Sequence, residues 1–176
     1  MSPAPNVVGL DLSITATGCC HPDGEVETWK YAAKHGDLRL RYIADEVQAL
    51  ALTYPDLFVI EDLPTHAHGA GITGMVHGAV RCALLRAEVP YALVTPATLK
   101  KYATGKGNAD KTAMALALYK KARIELGDDN QVDAAWLRYA GLDALGHPAI
   151  DLPEAQKSTL YKVKWPIPTR YDGEDK

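Results

Sequence analysis

The stretch that decides the fold is NVVGLDL, residues 6–12. It is short and apolar, with β-branched residues near its start, which predicts a buried strand. Two further strand-like runs follow at residues 15–21 and 25–32, separated by Pro22-Asp23-Gly24. Because Asp-Gly between two such runs favours a tight hairpin turn, we expect the chain to open with three consecutive antiparallel strands.

The rest of the chain alternates between helix and strand. Continuous apolar runs predict two more strands at 57–61 and 91–94, and apolar spacing or helix-start signals predict helices at 37–53, 72–88, 95–103, 109–126 and 129–145. This order indicates an α/β fold, in which a mixed five-stranded sheet with three antiparallel strands first is flanked by helices on both faces. Residues 1–150 are expected to form a single domain, and residues 151–176, which contain Pro153, Pro166 and Pro168, an extended basic C-terminal tail.

Length and composition exclude several classes of protein. A chain of 176 residues suits one domain, and no apolar run reaches the ~18 residues of a membrane span. The first residues lack the basic and apolar regions of a signal peptide, so we expect a cytoplasmic protein. The three cysteines, Cys19, Cys20 and Cys82, do not suggest a disulfide framework or a structural zinc site, and we expect reduced, buried thiols.

The charge is strongly segregated along the chain. The whole sequence carries a net charge of −3, but residues 98–123 hold seven basic residues and one acidic residue, a net charge of +6. Residues 157–170 add +4, which leaves −13 for the remainder. Such segregation favours a polyanion bound beside an acidic site. In the loop Thr104–Asn108, glycines flank Lys106 and would let backbone amides approach a phosphate.

Two acidic residues end buried strands. Asp11 closes the first strand and Glu61 closes the strand at 57–61. A carboxylate in that position is costly to desolvate unless it meets a cation or hydrogen-bond donors. Either acid alone could serve as a helix cap or an ion-pair partner, but two such acids in one small sheet favour a shared site.

A third acid comes from the last long helix. Asp133 lies a full turn inside that helix, and Asp129 or Asn130 can share its face, although Asp128 or Asp129 could also act as the N-cap. Three or four oxygen ligands without a His or Cys cluster suit a hard cation such as Mg²⁺ or Mn²⁺. Carboxylates from two strands and a helix are typical of two-metal phosphodiester hydrolysis.

The sequence resembles the RuvC family of Holliday-junction resolvases, in the RNase H-like superfamily, and looks like its phage-encoded branch. Four segments carry the resemblance: Val8–Ser13 with Thr17-Gly18, Val59-Ile60-Glu61, the stretch PATLKKYATGKGNADK at 96–111, and Asp133-Ala134-Ala135. The resemblance covers about residues 6–146. It implies an RNase H-like fold and a Mg²⁺-dependent endonuclease that nicks four-way junctions, with other branched DNA as a further candidate substrate, in recombination, repair or phage DNA processing.

The resemblance also implies roles for individual residues. Asp11, Glu61 and Asp133 match metal-binding acids that hold two Mg²⁺ ions, for which Mn²⁺ would substitute, and Lys111 matches a catalytic lysine near the scissile phosphate. Asn130 stands where the family often has an acid or a histidine, so the fourth ligand could be Asn130 or Asp129. The residues implied to contact DNA are Lys100, Lys101, Lys106 and Lys111, together with His66 and His68 in the loop after Glu61.

The resemblance further implies a homodimer, with no membrane and no nucleotide as partner. The predicted helix at 72–88 is an interface candidate, because small residues lie at Gly74, Gly78 and Ala79 and just before it at Gly71, although packing within the monomer explains them equally well. The site of action would be the cytoplasm, at the nucleoid or in the host cell of a phage.

Two alternatives share these motifs. An actin/hexokinase-like ATPase begins with a similar Gly-Leu-Asp-Leu-Ser-Ile-Thr loop, but that architecture needs two such subdomains and a much longer chain. A non-catalytic protein of the same fold would bind branched DNA without cutting it, but it would be expected to have lost its carboxylates, whereas Asp11, Glu61 and Asp133 are all present.

Overall fold

The structure, a computed structural model, describes residues 3–63 and 70–167. Five strands form one mixed sheet in the order β3-β2-β1-β4-β5. Their bounds are β1 Val7–Asp11, β2 Ala16–Cys20, β3 Val26–Lys30, β4 Leu57–Glu61 and β5 Tyr91–Val94. The first three strands pair antiparallel, and β4 and β5 continue the sheet in parallel with β1. The predicted mixed sheet is therefore confirmed.

The hairpin between β2 and β3 turns where the sequence predicts it. Gly24 has a φ of 95°, a left-handed conformation that glycine adopts without strain. The amide of His21 donates to the carbonyl of Glu25 at 2.8 Å and closes the turn.

Helices cover both faces of the sheet, as predicted. Their bounds are α1 Leu38–Ala51, α2 Ala70–Arg86, α3 Pro96–Thr104, α4 Lys111–Ala122, α5 Asp129–Ala144 and α6 Glu154–Lys157. Helices α1 and α2 bury their apolar side chains against one face, and α3, α4 and α5 cover the other. The sheet thus separates two apolar cores.

The alternation of side chains along β1 determines which face the functional residues occupy. Val8 and Leu10 lie in the core under α1 and α2, whereas Val7 lies in the core under α5. Because side chains alternate along a strand, Gly9 and Asp11 share the α5 face with Val7. The same period places Glu61 on that face at the end of β4.

Helix α4 is shorter than predicted at both ends. Asp110 caps its start by accepting a hydrogen bond from the amide of Ala113 at 2.8 Å. At its other end Arg123 adopts a left-handed conformation, with φ of 60°, which stops the helix. Residues 109–126 are therefore not one continuous helix.

The prediction of an extended tail is wrong for residues 154–162. Helix α6 and a following 3₁₀ turn at Ser158–Lys162 occupy this stretch. Pro153 precedes the helix, a position where proline is compatible with helix initiation. The side-chain amide of Gln156 donates to the carbonyl of Tyr102 at 2.7 Å, and Leu160 is fully buried in the core that α5 covers. Burial of this segment explains why it folds despite its prolines.

Candidate active site

Asp11 and Glu61 lie side by side at the carboxyl ends of β1 and β4. The parallel register pairs Gly9 with Val59 and Leu10 with Ile60, so the next residues are the two acids. The two carboxyl groups lie close enough for the negative charge of Asp11 to raise the pKa of Glu61.

Close packing of α5 on the sheet brings the third acid to this pair. A β-carbon on Gly9 would collide with the carbonyl oxygen of Ala134, and one on Gly18 would collide with the carbonyl of Asn130. Only glycine permits such an approach of two backbones. The turn of α5 that carries Asp133 therefore lies against the strands beside Asp11.

The N-terminus of α5 is anchored to the edge of the sheet. Asp128 is the N-cap and accepts from the amide of Asn130 at 2.9 Å. Its other carboxylate oxygen accepts from the Thr28 hydroxyl at 2.9 Å and lies 3.6 Å from the Lys30 ammonium on β3. This tie between β3 and α5 fixes where the helix begins.

The three acids have raised pKa values. Burial, and then the charge of Asp133, raises the pKa of Asp11 to about 7. Burial, and then the charges of Asp11 and Asp133, raises the pKa of Glu61 to about 8. Burial also raises the pKa of Asp133 to about 6. These carboxylates thus lack enough positive charge nearby to offset their desolvation and mutual repulsion.

Two lysines face the acids. The positive charge of Lys100 on α3 lowers the pKa values of Glu61 and Asp133, and that of Lys111 lowers those of Asp11 and Asp133, each only in part. Lys111 is the first residue of α4. Both lysines line a cavity of about 130 Å³, whose walls are Glu61, Pro96, Lys100, Lys111, Met114, Asp129, Val132 and Asp133.

The two candidates for a fourth ligand have different partners. The Asp129 carboxylate forms an ion pair with the Lys111 ammonium at 2.7 Å and lies on the cavity wall. The side-chain amide of Asn130 donates to Asp128 at 2.9 Å, and its β-carbon lies over Gly18. Asp129 is therefore the better placed of the two to reach the cavity.

Other predicted DNA contacts lie elsewhere. Lys101 is exposed on α3, and Lys106 lines a separate depression with Lys120 and Lys121. Lys100 and Lys111 are thus the predicted basic residues that the fold brings to the acids. His66 and His68 lie outside the described residues.

The donor set fits a hard divalent cation. Carboxylate oxygens are the ligands that Mg²⁺ and Mn²⁺ prefer, and the raised pKa values show uncompensated negative charge at this place. Asp11, Glu61 and Asp133 would hold such ions. Their carboxylate oxygens do not all come within 4.8 Å of one another, so the acids line a space instead of meeting at one point.

Sequence reasoning missed the residues that position this site. The Thr28–Asp128 bond joins residues a hundred positions apart, and no local pattern signals it. Gly9 and Gly18 did carry a signal, because glycine inside a strand often marks close backbone approach. The expectation of buried thiols holds for Cys19 and Cys20 but is wrong for Cys82, which is exposed on α2.

Comparison with known proteins finds similarity to members of the family that the motifs indicate. The crossover junction endodeoxyribonuclease RuvC of Frankia alni is 31% identical over an alignment 118 residues long, and the match covers 60% of this chain and 60% of that protein. The chain resembles RuvC. It spans about 60% of the length of this curated relative, and no family model matches the sequence.

Solved RuvC structures share the fold. A Thermus thermophilus RuvC structure aligns with a TM-score of 0.63 and 23% identity, over 76% of this chain and 90% of that chain. T. thermophilus RuvC in complex with a Holliday junction substrate aligns with a TM-score of 0.65 and 21% identity, over 84% of this chain and 99% of that chain. The RNase H-like fold is therefore confirmed. Among residues 3–63 and 70–167, no helix has the length and apolar character needed to cross a membrane.

Proposed function

We propose that this protein is a divalent-metal-dependent endonuclease that nicks branched DNA, with the four-way junction as its principal substrate. The observation that carries the proposal is that Asp11, Glu61 and Asp133 lie close enough for their charges to interact, with Lys100 and Lys111 beside them. The likeness to RuvC, one structure of which is a complex with a Holliday junction substrate, supports the choice of DNA.

Each residue group has a distinct task in this proposal. Bound Mg²⁺, two ions per site, would supply Lewis acidity and a water of lowered pKa for phosphodiester hydrolysis. Asp11, Glu61 and Asp133 hold the ions at the ends of β1 and β4 and on α5. Lys111 offsets negative charge that develops on the scissile phosphate, a task suited to its place at the N-terminus of α4.

Lys111 forms an ion pair with Asp129 at the wall of the cavity, with 2.7 Å between the ammonium and the carboxylate. A phosphate that enters competes with Asp129 for this cation. Since both side chains are exposed, breaking the pair costs little.

Substrate binding would extend beyond the cavity. The proposed further contacts are Lys101 and Lys106, together with His66 and His68, which the resemblance implies to contact DNA. Phosphate contacts by lysines position DNA without reading its sequence. Binding is therefore expected to weaken steeply with salt.

We also infer that the protein acts as a homodimer through α2. Ile72, Met75 and Leu85 on this helix are 54%, 48% and 66% exposed. A β-carbon on Gly71 or Gly78 would meet nothing within 4 Å, so a second helix could approach closely there. Sedimentation analysis should give a dimer, and Met75→Glu should shift it towards a monomer; a wild-type monomer at cleavage concentrations would contradict this.

The proposed setting is the cytoplasm, in recombination, repair or phage DNA processing, where branched DNA arises. The proposal is tested with labelled four-way junctions, forks, flaps and linear duplex in Mg²⁺ or in EDTA. We expect nicking of the junction in Mg²⁺, at paired positions on opposite strands, and none in EDTA. Tight binding of the junction without nicking in Mg²⁺ or Mn²⁺ would instead show a non-catalytic binder.

A further inference from the structure

A second cluster of metal-ligating side chains lies on the β2–β3 hairpin. One donor atom each from Cys19, His21 and Glu27 lies within 4.8 Å of the other two. Within residues 3–63 and 70–167, no other group of three His, Cys, Asp or Glu side chains meets this condition.

The register of the hairpin produces the cluster. Cys19 on β2 is directly opposite Glu27 on β3, so their side chains share one face of the sheet. His21 lies two residues beyond Cys19 and therefore on the same face. The sequence spacing alone does not suggest a zinc site, because the third ligand comes from cross-strand pairing.

This cluster is separate from the carboxylate site. Cys19 belongs to the core under α1 and α2, together with Leu10 and Ile43. Asp11 faces the opposite side of the sheet, towards α5. A metal on the hairpin would therefore not share a ligand with the candidate active site.

We propose that Cys19, His21 and Glu27 bind one Zn²⁺ ion, or a similar borderline-soft transition metal, with solvent as the fourth ligand. Sulfur, imidazole nitrogen and carboxylate oxygen form a donor set that Zn²⁺ takes readily and Mg²⁺ does not. On the proposed function, metal ions of two different kinds would then occupy opposite faces of one sheet.

The three side chains of the cluster differ in how far they are buried. Cys19 is fully buried, the side chain of His21 is 24% exposed and that of Glu27 is 49% exposed. The three donors thus extend from the partly exposed Glu27 side chain to the buried sulfur of Cys19. The imidazole Nε2 of His21 lies 2.7 Å from Glu27 Oε1, so these donors are already held together.

On binding, the Cys19 thiol loses its proton to solvent and the resulting thiolate binds the ion. The His21 proton moves from Nε2 to Nδ1, which leaves Nε2 free to bind as a neutral ligand. Glu27 exchanges its hydrogen bond from His21 for a bond to the metal.

The test is a titration of the metal-free full-length protein with Co²⁺, which reports thiolate ligation by a charge-transfer band in the near ultraviolet. We expect one equivalent to produce the band, Zn²⁺ to abolish it by displacement and excess Mg²⁺ to leave it intact. Asp11→Asn should retain the band, because the carboxylate site contains no sulfur.

Matched variants locate the ligands. The band should be lost in Cys19→Ala and in His21→Ala, the second of which changes a partly exposed position and leaves the core intact. Cys20→Ala, the next residue on the same strand but on the other face, and Cys82→Ala should retain it. No band in the wild type, a band that survives Cys19→Ala or His21→Ala, or a band lost in either control variant would overturn the proposal.

Discussion

The carbonyl oxygen of Ala134 on α5 occupies the space that a side chain at Gly9 would need. Because Gly9 has no side chain, α5 packs close to β1. This close packing brings Asp133 on α5 near Asp11 on β1. A strand residue without a side chain thus determines the geometry of the acidic site on the neighbouring helix.

Gly9→Ala should therefore displace α5 and damage both stability and cleavage. We expect a loss of about 1–3 kcal/mol in the free energy of unfolding, the usual cost of overpacking, and a larger loss of nicking than of DNA binding. Urea denaturation and single-turnover cleavage measure the two effects. Gly127→Ala is the control, because a β-carbon there would meet nothing within 4 Å. Equal stability of the two variants would contradict the close packing.

The metal-free protein should lose stability as the pH rises. Asp11, Glu61 and Asp133 have pKa values raised to about 7, 8 and 6 in the folded state. Between about pH 4 and pH 8 the folded protein thus binds more protons than the unfolded chain, so these groups destabilise it increasingly as the pH rises through that window.

Asp11→Asn should reduce this dependence. In EDTA at about pH 8 its melting temperature should exceed that of the wild type, because the substitution removes one of three repelling charges. Mg²⁺ should then raise the melting temperature of the wild type more than that of the variant. The exposed Asp37 provides the matched control, Asp37→Asn. A melting temperature of Asp11→Asn below that of the wild type in EDTA would show that the acids do not repel one another.

Lys111→Ala should slow cleavage much more than it weakens binding. Loss of a charge that stabilises the transition state typically costs about 10²-fold in rate. Lys101→Ala, which removes an exposed lysine outside the cavity, should leave the single-turnover rate within a few fold and weaken binding only slightly. Filter binding and single-turnover nicking separate the two effects. Equal nicking rates for Lys111→Ala and Lys101→Ala would contradict a role of Lys111 in transition-state stabilisation.

Sequence patterns predicted the part of the candidate site that depends on the alternation of side chains along a strand and on the order of the strands. Asp11 and Glu61 end apolar runs, and two-residue alternation places such terminal acids on one face once the strands are parallel neighbours. Asp133 could be recognised because it lies a turn inside an otherwise apolar helix. All five strands could be located from the sequence, because each is a short apolar or β-branched run between turn residues.

Features that depend on distant contacts could not be predicted. The fold of residues 154–162 rests on Leu160 in the core and on the bond from Gln156 to Tyr102, more than fifty residues away. The Lys111–Asp129 ion pair and the Cys19–Glu27 pairing likewise arise only when separate elements meet. Local composition carries no information about such distant partners. The prediction of an extended tail rested on the prolines of that segment and was therefore wrong.

The most direct test of the central claim is single-turnover nicking of a labelled four-way junction by Asp11→Asn in Mg²⁺, at protein concentrations that saturate the DNA. We predict a loss of at least about 10³-fold relative to the wild type, since removal of a proposed metal ligand should raise the barrier to hydrolysis by several kcal/mol. Junction affinity should remain unchanged, and Asp37→Asn should cleave normally. Nicking by Asp11→Asn at the wild-type rate would contradict the account.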